Sequence, residues 1–291
     1  MSAIPRFIWG ADGVTPAMLE AYGRDGVLVI DGFKSAAECD RLIERADLLV
    51  DGFDPEQERT VFSTTSRAHA AADYFAGSGD KIRFFLEEEA LDADGRLTRP
   101  KHQAINKIGH AMHDLDPVFD AFSHDPRLDE LARALGQAQP KLLQSMYIWK
   151  PPMIGGEVVC HQDSTFLTTD PLSVVGYWFA LEDATRENGC MWGIPGGHTG
   201  ALRNRFHYDE AGRLVTEKLD ETPFEEDRKV CLEAPKGTLI VLHGSFPHLS
   251  GPNRSPKSRR AYTLHVIDGA CTYLPDNWLK RGADLPLRGF V

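Results

Sequence analysis

The chain has 291 residues, of which 42% are hydrophobic and 26% charged, with a net charge of −11. That is the make-up of a globular protein large enough for a substantial core. The negative balance argues against nonspecific nucleic-acid binding, which needs a basic surface, and no apolar run reaches the ~20 residues of a membrane span.

Thr15-Pro16 reads as an N-cap with proline in the first turn, opening a short helix to Arg24. Val27 to Ile30 is an apolar run of strand length. Ser35 and Glu38 form a capping box for a helix to about Leu49, with Leu42, Ile43, Ala46 and Leu49 on one face. Residues 54–72 are polar and patternless, a mobile loop, and Ile82 to Phe85 is a strand. Ile105, Ile108 and Met112 have helical spacing, as do Leu128, Leu131 and Leu135, which predicts a helical layer punctuated by Pro117 and Pro126.

From Lys141 onward the pattern changes to strands: Leu142–Trp149, Val174–Leu181, Thr238–His243 and Ala261–Ile267. Gly155-Gly156, Asn188-Gly189, Gly196-Gly197 and Lys236-Gly237 mark turns, with Asn188-Gly189 a hairpin signal. Residues 203–230 are charged and weakly patterned, an insert between strands. Helices followed by many strands predict a mainly β fold with flanking helices, its core a double-stranded β-helix (a cupin-like jelly roll). No linker divides the chain, so residues 1–291 are expected to form a single domain, with a helical part at about 1–138 and a jelly-roll core at about 139–270.

The most informative motif is His161-Gln162-Asp163. On an extended backbone, residues two apart point the same way, so His161 and Asp163 can face one metal while Gln162 turns away. A downstream histidine completes the two-histidine, one-carboxylate facial triad, which holds iron(II) and leaves positions open. The chain has 11 histidines, and His198, His243 and His248 all stand as candidates for the third ligand. A basic cluster follows at Arg254, Lys257, Arg259 and Arg260, suited to an anionic substrate or to a solvated loop. The same ligand set could hold zinc in a metal hydrolase, although no general-base glutamate sits beside it as in H-E-x-x-H. Cys39, Cys160, Cys190, Cys231 and Cys271 are scattered without a C-x-x-C pair and read as reduced thiols; Cys160, beside His161, is either a small buried residue or an oxidation-sensitive neighbour of the metal. The first six residues lack a signal-peptide core and the last three are not a peroxisomal signal, so a cytoplasmic protein is expected.

Several separated segments carry a resemblance: DYFAGSGDKIRFF from Asp73, INKIGHAMH from Ile105, LLQSMYIWK from Leu142, GGEVVCHQDSTFL from Gly155, ALEDATRENGCMWGIPGGH from Ala180, and Asp276-Asn277-Trp278. In these the chain resembles the phytanoyl-CoA dioxygenase family of iron(II)/2-oxoglutarate oxygenases. The resemblance implies that His161, Asp163 and His248 hold iron, and that Arg259, eleven residues after His248, pairs with the far carboxylate of 2-oxoglutarate. A shift of one in register would give that role to Arg260. It further implies that Lys107, Met146, Trp178 and Ser250 line the cosubstrate. Taken alone, Lys107 reads as a snorkelling surface lysine, Met146 and Trp178 as core residues, and Ser250 as a turn residue.

The implied reaction uses oxygen to convert 2-oxoglutarate to succinate and carbon dioxide while hydroxylating a small molecule, for example an acyl-CoA or a carboxylic acid, with ascorbate as reductant. Halogenases of this fold lack the ligand acid, so Asp163 implies hydroxylation or a related oxidation. The remaining alternative is a noncatalytic sensor that binds 2-oxoglutarate without turnover.

Overall fold

The computed structural model describes residues 4–55, 73–92 and 96–290; the loop expected at 54–72 lies outside them from residue 56 onward. In chain order the strands are β1 (Arg6–Ile8), β2 (Val27–Asp31), β3 (Ile82–Leu86), β4 (Ile105–His110), β5 (Pro140–Lys150), β6 (Val158–His161), β7 (Thr169–Asp170), β8 (Val175–Ala180), β9 (Met191–Gly193), β10 (Asn204–Tyr208), β11 (Leu214–Lys218), β12 (Val230–Leu232), β13 (Leu239–His243), β14 (His248–Ser250), β15 (Arg259–Asp268) and β16 (Thr272–Tyr273). The helices are α1 (Pro16–Asp25), α2 (Ala36–Gly52), α3 (Asp73–Ala76), α4 (Met112–Leu115), α5 (Pro117–Ser123) and α6 (Pro126–Ala134). None of the helices among the described residues is long and apolar enough to cross a membrane.

An eight-stranded sheet, ordered β1-β2-β13-β8-β15-β5-β4-β3, faces a four-stranded sheet ordered β12-β9-β14-β6. All pairs except β1/β2 are antiparallel, and the two sheets are the walls of the expected jelly roll. The alternation of each strand separates two cores. Tyr147, Trp149, Tyr177, Phe179, Tyr262 and Leu264 project from the outer face of the large sheet into the main core. There they meet Leu42, Ala46 and Val50 of α2, Phe119 and Phe122 of α5, and Leu128 and Leu131 of α6. Trp178, Ala180, Ile240 and Ala261 project from the inner face toward the small sheet, where Met191, Leu232 and Phe246 complete a second cluster.

The caps operate as the sequence predicts. Thr15 accepts from the Met18 amide, and Ser35 and Glu38 complete a reciprocal capping box. The buried stripe of α2 runs Cys39, Leu42, Ala46 and Val50, with Ile43 and Leu49 partly buried at its margins.

Two local expectations are corrected. Ile105 and Ile108 lie on β4, a strand, and not on a helix. Leu86 faces Ile105 and Phe85 faces Lys107, so Asn106 is an extra, bulged residue. The bulge puts two residues three apart into the same core and thereby imitates a helical period. The Asn188-Gly189 turn forms, with Gly189 at φ +84°, but its flanking strands do not pair as a hairpin: β8 joins the large sheet and β9 the small one. The insert at 203–230 folds between β9 and β12 and contains the hairpin β10-β11.

A buried charge ties α6 to the start of α2. Lys34, 3% exposed, donates to Asp125 Oδ2 at 2.8 Å, and Arg127 also binds this N-cap carboxylate. Burial alone would raise the Asp125 carboxyl, but Arg127 and Lys34 outweigh it and hold it at about 2. An unfolded aspartate titrates near ~3.9, so this stabilisation is fully present above about pH 4 and is lost as pH falls toward about 2. Urea denaturation of wild type and Asp125→Asn, which keeps a capping side chain, should show a stability gap at neutral pH that closes across that window.

Candidate functional site

A cavity of about 380 Å³ lies between the sheets, and strand register decides what lines it. On the large sheet Met146 faces Thr263, which faces Trp178. One row along, Gln144 faces His265 and His265 faces Gly176. In the other direction Lys150 faces Arg259, and Lys107 on β4 faces Ile148. Cross-strand neighbours share a face, so residues far apart in sequence converge on one wall. The opposite wall is the small sheet, where His161 lies directly across from His248 and Ser250 follows on β14.

Gln162 is extended, at φ −118° and ψ 135°, which returns Asp163 to the side of His161. Its own side chain turns into the protein, donating to the Ser245 carbonyl at 2.9 Å and accepting from the Arg203 amide at 3.0 Å. The chain then tightens into a 3-10 turn over Asp163–Thr165.

The two facing imidazoles are held in one tautomer. His161 Nδ1 lies 2.9 Å from the Val159 carbonyl and His248 Nδ1 lies 3.0 Å from the Phe246 carbonyl. A carbonyl oxygen only accepts, so Nδ1 carries the proton and Nε2 presents a lone pair. Both Nε2 atoms are 3.6 Å from Oδ1 of Asp163, and the three donor atoms lie within 4.8 Å of one another. Burial and His161 push His248 down to about 4. Burial alone would raise the Asp163 carboxyl, but the facing imidazoles of His248 and His265 hold it well below the usual range. Neutral imidazole and ionised carboxylate are the forms that bind metal. Among the described residues this is the group of His, Cys, Asp and Glu with metal-binding spacing.

The rival histidines are elsewhere. His198 packs against His243, with ring centroids 5.1 Å apart, and its Nε2 lies 3.3 Å from the Gly23 carbonyl. His243 Nδ1 accepts from the Ser245 amide at 3.1 Å. Of the three candidates, the fold brings only His248 to His161 and Asp163.

The basic cluster is dispersed. Arg259 is 2% exposed and lines the cavity, its guanidinium 5.6 Å from the Trp178 ring. Its Nε donates to the Gly189 carbonyl at 3.2 Å while Nη1 is buried without a protein partner, and burial pulls its pKa down to about 10. A buried charged donor without a protein partner, on a residue that lines a cavity, suits an anion, most fully a carboxylate. Arg260 faces the other way, 3.8 Å above the Trp149 ring and paired with Asp47 of α2 at 3.0 Å. Arg254 pairs with Glu89 at the surface.

Lys107 is buried, not a snorkelling surface lysine. Its ammonium lies 5.2 Å from the rings of both Phe75 and Phe85, and burial lowers its pKa to about 7. Met146, Trp178 and Ser250 also line the cavity. The Cys160 thiol is pushed up to about 12 by burial, away from the thiolate that makes a cysteine oxidation-prone.

Sequence reasoning missed His265, Lys150 and Gln144, which share the large-sheet wall. Strand alternation from Arg259 through Ala261 and Thr263 points to His265, so its signal was present. It also missed the far end of the cavity, where Phe206 from the 203–230 insert packs on Phe166 at 5.8 Å and Phe75 stacks on Trp278 at 4.4 Å. Nothing local in the sequence joins those four rings.

A family model described as phytanoyl-CoA dioxygenase matches residues 22–261. The chain is 45% identical over 283 residues to a Bos taurus protein named phytanoyl-CoA dioxygenase domain-containing protein 1, covering 94% of this chain and 97% of that one. Among solved structures it resembles the non-heme alpha ketoglutarate dependent carbocyclase SnoK, with a TM-score of 0.63, 18% identity and coverage of 95% and 97%. It also resembles the epimerase SnoN in complex with Fe3+, alpha ketoglutarate and nogalamycin RO, with a TM-score of 0.62, 17% identity and coverage of 94% and 99%.

Lys107 offers a direct check on the cavity's electrostatics. Competitive acetylation followed across pH by mass spectrometry should place its half-titration near about 7, against ~10.4 for surface lysines. A midpoint with the surface lysines would show that its ammonium is hydrated.

Proposed function

The chain belongs to the phytanoyl-CoA dioxygenase family, and from that premise we propose that it is an iron(II)- and 2-oxoglutarate-dependent dioxygenase that hydroxylates a small molecule. One observation carries the reading. His161, Asp163 and His248 bring three donor atoms within 4.8 Å of one another, in a cavity also lined by Arg259, whose buried Nη1 has no protein partner. A metal ion and an anion with a remote carboxylate are the partners such a pair of features fits.

His161, Asp163 and His248 hold the iron. Arg259 receives the far carboxylate of 2-oxoglutarate through its planar fork, and Ser250 and Lys107 supply further donors nearby. Met146 and Trp178 give the cosubstrate an apolar bed, and Trp178 fixes the guanidinium from one side. Bound iron and oxygen supply the oxidising chemistry, in which 2-oxoglutarate becomes succinate and carbon dioxide. The protein's part is to position the partners and keep water out, and the aromatic end formed by Phe75, Phe166, Phe206 and Trp278 is suited to the apolar part of the prime substrate, as an acyl-CoA or a carboxylic acid would present. His248 and Asp163 stand in their metal-binding protonation states, which favours a metal-dependent enzyme.

Succinate release from 2-oxoglutarate, with iron(II), ascorbate and oxygen, tests the proposal. Uncoupled turnover is expected in wild type and is lost in His161→Ala and Asp163→Ala; equal release by both variants would refute the assignment. Calorimetric binding of 2-oxoglutarate without a detectable product, with a panel of acyl-CoA and carboxylic acid substrates present, would instead identify a sensor. Arg259→Ala should weaken 2-oxoglutarate binding by about 2–5 kcal/mol, a loss of roughly 30-fold or more. Arg260→Ala should leave that affinity unchanged, because its side chain serves α2.

A further inference from the structure

The two oxygens of Asp163 have different surroundings. Oδ1 is 3.6 Å from Nε2 of both His161 and His248. Oδ2 turns to Nε2 of His265, 3.4 Å away, and has no aligned hydrogen-bond donor. His265 is 6% exposed and its Nδ1 is buried without a partner. A buried unpartnered N–H is costlier than an unpartnered acceptor, so the ring proton belongs on Nε2, where the carboxylate is.

The large sheet prepares this contact in two ways. His265 lies directly opposite Gly176 on β8. A Cβ on Gly176 would stand 2.8 Å from Asp163 Oδ2, closer than such atoms approach, so a side chain there would take the carboxylate's seat. Immediately past His265 the register slips: Gln144 faces His265, but Leu142 faces Val266, leaving Leu143 as an extra residue. Bulges add local twist and recur beside functional sites, where they re-aim side chains.

The geometry points to His265 as a positioning residue that, with the bare backbone of Gly176, seats Asp163 Oδ2 and turns Oδ1 alone toward the metal. The inference rests on the metal centre proposed above. A carboxylate free to rotate can offer both oxygens and fill a second coordination position. Holding Oδ2 aside keeps that position open, which a facial triad requires. Outer partners of this kind orient a ligand, and losing one costs about 10–100-fold in metal affinity.

Manganese(II) is the probe, titrated into chelator-stripped full-length protein without oxygen or cosubstrate, with free ion read by electron paramagnetic resonance. Wild type should bind one equivalent. His265→Ala and Gly176→Ala should each bind about 10–100-fold more weakly, and His265→Gln, which keeps an N–H at the end of its side chain, should recover most of the loss. The unfolding midpoint of each metal-free variant is measured alongside. A packing role alone would lower the midpoint and leave metal affinity intact, and that result for His265→Ala overturns the inference. If His265→Ala does not fold, His265→Phe fills the same space without a donor and should show the same loss; unchanged affinity there is equally fatal. Absence of binding by wild type would defeat the metal centre itself, and the inference with it.

Discussion

β15 runs between β5 and β8 in the middle of the large sheet, and its register is the constraint on which the site depends. Side chains alternate across a strand, so a slip of one residue would exchange its two faces. In the register observed, Arg259, Thr263 and His265 enter the cavity while Arg260, Tyr262 and Leu264 go to the helical side. The slipped register would bring Tyr262 and Leu264 into the cavity and bury the Arg259 and His265 side chains among the helices. The aromatic core on the outer face therefore does more than stabilise the fold: Tyr262 against Phe119 and Phe179, and Arg260 against Trp149 and Asp47, lock the face that carries the chemistry.

The cavity concentrates charge where burial disfavours it. Arg259, Lys107 and Lys150 are all buried on its walls, with Asp163 as the carboxylate beside the imidazoles. Lys150 is occupied, since its ammonium donates to the Gly156 and Gly251 carbonyls. Arg259 has a free nitrogen, and Lys107 is held near neutrality by desolvation. Such a site is poorly solvated and poised for partners of opposite charge. On the proposed reading a metal ion would answer the carboxylate and imidazoles, and a dicarboxylate would answer the cations.

The two sheets divide the labour. The small sheet places His161 and His248 opposite each other through one strand pair, and backbone carbonyls two residues before each ring set the tautomer. The large sheet supplies the Arg259 guanidinium, the Met146 and Trp178 side chains, and the contact of His265 with Asp163. The hairpin inserted between β9 and β12 closes the aromatic end through Phe206.

Local chemistry was legible in the sequence: the caps of α1 and α2, the long strands after residue 140, and the outward turn of Gln162 between two inward donors. These follow from residue type and from a backbone period of two or 3.6. The resemblance added Lys107, Met146, Trp178 and Ser250, which no periodicity distinguished from core or surface residues, and picked Arg259 out of the basic cluster. The residue pattern left His198, His243 and His248 open and the resemblance pointed to His248; the tertiary structure brings that histidine to His161 through the pairing of β14 with β6. It alone separated Arg259 from Arg260, turned the apparent helix at Ile105 and Ile108 into a bulged strand, and set His265 and Gly176 around Asp163. A sequence determines what each segment can do through bonds to its near neighbours; which distant segments share a row is decided by sheet register, an interaction between residues that no local pattern connects.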